Sequence, residues 1–188
     1  MLVASQKRRE NIAEYLLYMW QVEDMIRALG LDIDRIKEHI IAPIPQIDDA
    51  TRAQIAEWYE SLIDMMRREG VEQNGHLQIN RNTLGDLADL HRRILADGRY
   101  DDYTRAFYDA LPVIVEIRSH AGDNPAGEVE TCFNALYAVL LMRMQRREIS
   151  DATSEAMKKI TRFTAMLAAY FAKDERGELF GRDDDDGQ

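Results

Sequence analysis

Apolar residues in this chain recur every three to four positions over nearly its whole length. That spacing gathers them on one side of an α-helix and leaves no run with the alternation of a half-buried strand. Ile12, Leu16, Met19, Val22, Ile26 and Leu29 mark a first helix, predicted from about Gln6 to Leu29 and stopped by Gly30. Ala13, Leu17 and Trp20 widen its apolar surface beyond one stripe, so it is expected to be largely buried. A short second helix spans Ile33 to Ala42, closed by Pro43 and Pro45. Asp48 or Asp49 caps a third, with Ile55, Trp58, Tyr59, Leu62 and Met66 on one face and Gly70 at its end.

After the Asn74-Gly75 turn, a fourth helix carries Leu84, Leu87, Leu90, His91 and Ile94 as far as Gly98. A fifth runs from about Asp101 to His120, with Pro112 inside the pattern and therefore an expected kink. The sixth, from about Ala126 to Glu148, contains ALYAVLLM, apolar all round, and is the second helix expected to be largely buried. Ser150 caps a seventh that runs to about Lys173. These signals predict an all-α, single-domain helical bundle of about six to seven helices over residues 1–173. Residues 174–188 are expected to form an acidic disordered tail, because GRDDDDGQ cannot bury enough surface to offset its ordering entropy.

Composition narrows the function classes. Of 188 residues 46% are hydrophobic, enough for a packed core without a metal or disulfide. The net charge of −10 repels phosphate backbones, so nucleic acid is not an expected partner; about half of that charge lies from Asp174 onward. Cys132 is the single cysteine, which excludes an intrachain disulfide and favours a reducing compartment. The N-terminal stretch MLVASQKRREN lacks the apolar core of a signal peptide. The longest apolar run, Ala135 to Met142, is well short of the ~20 residues that span a bilayer. A cytoplasmic protein without membrane contact is expected.

Helix-borne chemistries leave few marks. A di-iron bundle needs Glu-x-x-His on two helices, but Ile36, Gln73, Ala88 and Ile117 stand three before the four histidines. No His-Glu-x-x-His pair or glycine-rich phosphate loop occurs, so no metal and no cofactor is expected. The closest local couple is Glu116 with His120, four apart on one helix face. These two could supply metal ligands or an acid/base pair, while the ordinary reading is a solvated pair near a helix end. Cys132, one turn before the apolar run, reads as a small hydrophobe. The segment after Gly30 lacks the net positive charge of a DNA-recognition helix.

One polar arc stands out on the first helix, where Glu14, Tyr18, Gln21 and Met25 fall within roughly 60°. With Asn134 of the sixth helix, Glu14, Tyr18 and Gln21 form a candidate pocket; the alternative is that the arc faces solvent. Met65-Met66 beside Arg67-Arg68, and Met142 and Met144 around Arg143, have a composition common at protein interfaces.

The stretches QKRRENIAEYLLYMWQVEDMIRAL and ETCFNALYAVLLMRMQRREIS resemble a bacterial family defined as domain of unknown function 4924. The resemblance implies a bacterial, cytoplasmic, all-helical protein and assigns no catalytic or binding residue. Function is thus unknown from sequence. The expectation it leaves is a non-enzymatic interaction or scaffold module that self-associates as a homo-oligomer. The alternative is a helical enzyme or small-ligand binder with a polar pocket between the first and sixth helices, and a DNA-binding regulator comes third.

Overall fold

A computed structural model describes residues 2–122 and 126–180, and those residues are mostly helical with no strand among them. Eight α-helices are present among the described residues: α1 Leu2–Glu10, α2 Ile12–Ala28, α3 Ile33–Ile36, α4 Asp49–Arg68, α5 Gln78–Asp97, α6 Asp101–Ser119, α7 Glu128–Met144 and α8 Asp151–Glu175. Helix α3 runs straight into a π-helical turn, Lys37–Ile41. The count exceeds the predicted six to seven because the first predicted helix is two. Asn11 breaks it, its side-chain Oδ1 accepting from the backbone N of Ala13 at 3.0 Å and so capping α2. Pro112 sits inside α6 without dividing it.

The described residues group into two compact units, 2–10 with 14–83 and 11–13 with 84–180. No linker in the sequence announces this division, because the chain passes from one unit to the other inside α5, between Thr83 and Leu84.

In the first unit α4 packs on α3 and its π turn. Buried residues come from α2 (Leu16, Met19, Trp20, Val22, Ile26) and from α4 (Leu62, Ile63, Met66). Both helices end in the same way. Gly30 and Gly70 adopt φ of +72° and +67°, which lets the amides of Leu31 and Val71 reach back to Ile26 O at 3.0 Å and Met66 O at 3.0 Å. Arg52 holds the end of the π turn by donating to the carbonyls of Ile41, Ala42 and Ile44.

In the second unit α6 lies along α8 and α7 packs on both. Tyr103, Phe107, Phe163 and Tyr170 form its aromatic centre, with ring centroids 5.3–5.7 Å apart. Residues 174–180, assigned to a disordered tail by the sequence, are held against this unit. Arg93 donates to both carboxylate oxygens of Asp174 at 3.0 and 3.1 Å and lies 4.3 Å over the Phe180 ring, while Leu179 is buried. A bidentate charge pair and two apolar side chains offset the ordering entropy of this stretch. Residues 181–188 of the expected tail lie outside the described residues.

The expected burial of the sixth helix, now α7, is corrected. Its first half is enclosed through Val129, Cys132 and Phe133, but of the run Ala135–Met142 only Val139 is buried. Among the described residues, the other apolar side chains of that run, Ala135, Leu136, Tyr137, Leu140, Leu141 and Met142, are half-buried, apart from the exposed Ala138.

Candidate functional site

Most of the apolar stripe of α2 is hydrocarbon, with one exception at its centre. Glu23 lies at helical spacing from Leu16, Met19, Trp20 and Ile26 and is fully buried at 0% exposure. An ionised carboxylate at such a place needs hydrogen-bond donors on both oxygens. Three are supplied: His76 Nδ1 lies 2.6 Å from Oε2, and Leu77 N and Asn80 Nδ2 donate to Oε1 at 2.9 and 2.7 Å. The His76 ring stacks on Trp20 with centroids 4.2 Å apart and planes 13° from parallel. Arg27, one turn beyond Glu23, donates to the carbonyls of Val71 and Gly75 and pairs with Asp24 at 2.8 Å. Together these contacts fasten the turn ahead of α5 onto α2.

Neither Glu23 nor His76 lines the apolar cavity beside Tyr18 or the open cavity beside Asp32, and the three contacts of Glu23 to residues 76–80 make it a structural pin. Asn80 Oδ1 is the one buried acceptor in it without a donor.

An apolar cavity of about 220 Å³ is lined by Tyr18, Ile40, Ile44, Ile55, Trp58 and Tyr59 among others. Burial raises the phenol of Tyr18, and it pushes Tyr59 to about 12 with the neighbouring Tyr18 adding to the effect, so both remain hydrogen-bond donors at neutral pH. A more open cavity of about 540 Å³ is rimmed by Asp32, Glu60, Asp64 and Arg67. Its acids are engaged: Asp32 caps α3, Glu60 lies 3.7 Å from Lys37 Nζ, and Asp64 lies 4.0 Å from Arg67.

The residues singled out by the sequence scatter. Glu14 is 60% exposed in its side chain and pairs with Lys7 Nζ at 2.9 Å. Tyr18 is half-buried in the apolar cavity, whose lining includes neither Glu14 nor Gln21 nor Asn134. Gln21 is half-buried, and Asn134 is exposed on α7 in the other unit. Glu116 and His120 are exposed at the end of α6, and no group of three or more His, Cys, Asp or Glu able to hold a metal occurs among the described residues. Cys132 is fully buried and its thiol is pushed up to about 12 by burial, then by Glu128, which suppresses the reactive thiolate. The polar arc does not include Glu23, although a charge in the middle of an apolar stripe is itself a signal in the sequence.

His91 of α5 is a second buried polar group, 5% exposed, with Nδ1 2.7 Å from Tyr103 Oη and the rings of Phe107 and Phe163 at 4.6 and 5.3 Å. Burial among these rings pushes its pKa down to about 4, only partly opposed by Glu128. Below its ordinary value near 6.5 the unfolded chain takes up a proton that the folded chain refuses. Stability is therefore expected to be full above about pH 6.5 and to fall toward about pH 4, by on the order of 3 kcal/mol from this group. Urea unfolding at pH 7.0, 6.0 and 5.0 checks this. His91→Gln should flatten the decline, and an unchanged slope in that variant would assign the decline to other groups.

Along α7 the side opposite Cys132 carries Glu130, Asn134, Tyr137, Ala138, Leu141 and Met144 at spacings of three and four. Glu130, Asn134 and Ala138 are exposed, Tyr137 and Leu141 are half-buried, and Met144 is 65% exposed. Among the described residues no helix is long and apolar enough to cross a membrane, so this face is not part of a spanning segment.

No curated protein and no solved structure matches the chain. The family resemblance carried by the two quoted stretches extends much further than they do. A family model described as a domain of unknown function (DUF4924) matches residues 1–178, and the chain belongs to that family.

Proposed function

We propose that this protein is a helical interaction module that self-associates through α7. The observation that carries the reading is the apolar run Ala135–Met142, in which Val139 alone is buried. Leu136, Leu140, Leu141 and Met142 are all half-buried on this one helix, and a second body covering it would complete their burial. Methionine beside aromatic and arginine side chains is also the composition of interface cores and rims. Light scattering coupled to size exclusion tests it: a mass near twice 21.7 kDa is expected at high concentration, shifting toward one chain on dilution. A single-chain mass at every concentration would overturn it.

A second reading rests on the apolar cavity beside Tyr18, which has the lining of a small-ligand site: hydrocarbon with three hydroxyl side chains, Tyr18, Thr51 and Tyr59. An apolar fluorophore that binds the wild-type protein and not Ile55→Trp would support it.

A further inference from the structure

Resting on the proposed self-association, we infer that two copies meet as antiparallel α7 helices related by a two-fold axis near Tyr137 and Ala138. The charge layout of the helix carries this. Glu128 and Glu130 occupy its first turn, Arg143 its last, and Arg146 and Arg147 follow directly in the turn that ends it. Glu130, Arg143, Arg146 and Arg147 are all exposed, and none makes an ion pair among the described residues. The acidic end and the basic end are separated by the apolar run.

A helix with this polarity is complementary to itself in one orientation only. Placed antiparallel, Glu130 of each copy faces the Arg146–Arg147 turn of the other, the two helix dipoles oppose, and apolar residues meet in the middle. Placed parallel, acid meets acid and base meets base. The midpoint between Glu130 and Arg146 is Ala138, an exposed small residue that lets two helices approach to about 8–10 Å. A two-fold axis makes each contact occur twice, so the ionic pairs count double although each is solvent-exposed and individually modest.

Cysteine cross-linking and charge exchange test the arrangement on the full chain. Since Cys132 is fully buried, introduced thiols are the accessible ones. Ala138→Cys should form a covalent dimer under mild oxidation. Glu130→Cys should not, because its two copies lie about 24 Å apart, sixteen residues along the helix pair. Glu130→Arg, and separately Arg146→Glu with Arg147→Glu, should each weaken the dimer roughly tenfold, and mixing the two variants should restore it. Ready cross-linking of Glu130→Cys to itself, or a mixture no tighter than its parents, would overturn the antiparallel arrangement while leaving self-association in place. A wild-type chain that stays monomeric would overturn both.

Discussion

Replacing Glu23 with alanine should destabilise the protein by about 3–5 kcal/mol, enough to unfold much of the first unit at ambient temperature. The carboxylate is at 0% exposure and engages a ring nitrogen, a backbone amide and a side-chain amide. Its removal leaves three buried or half-buried donors unpaired and opens a gap in the α2 stripe. Glu23→Gln keeps the shape but turns one oxygen into a donor facing other donors, so it should recover only part of the loss. Glu14→Ala, nine positions earlier on the exposed side, is the control and should change little. Equilibrium denaturation of the three variants decides. Equal stability of Glu23→Ala and Glu14→Ala would mean that the pin carries no weight.

Phe163→Ala should cost a similar amount, about 3–5 kcal/mol, in the second unit. The ring is fully buried and stands within 5.3–5.7 Å of His91, Tyr103 and Phe107. Truncation removes edge contacts to all three and leaves a cavity that rigid helices α6 and α8 cannot close. It should also relax the pressure on His91, so the variant's stability should depend less on pH between about 6.5 and 4. Denaturation combined with the pH series measures both. A loss well under 1 kcal/mol would show that the aromatic centre is loosely packed.

The helices were legible because period and punctuation agree: Gly30 and Gly70 end helices, and Asp48 and Ser150 cap α4 and α8 with side-chain bonds to Thr51 N and Thr153 N. The Asn11 break was hidden by a hydrophobic period that continues through it, and only a capping bond distinguishes a break from a bend. The division inside α5 was hidden for a related reason, since a helix continues through it.

At the candidate sites the limit was different. The arc of Glu14, Tyr18 and Gln21 lies on the far side of α2 from Glu23, so the clustering of polar residues points away from the single charge placed among apolar ones. Partners fixed its role, and His76 and Asn80 are more than fifty residues away in sequence. For α7, the all-round apolar pattern predicts burial within the chain, which among residues 135–142 only Val139 reaches. An apolar pattern all round a helix does not by itself say which of its residues the fold buries.

Covering of α7 by a second copy is therefore the claim to test most directly, by sedimentation equilibrium of the wild-type protein and Ala138→Glu. Ala138 is exposed, so the substitution should leave helicity and melting temperature intact while placing two carboxylates at the axis. The account predicts a reversible dimer for the wild type and a single chain for the variant over the same concentrations. A variant that dimerises as well as the wild type would contradict it.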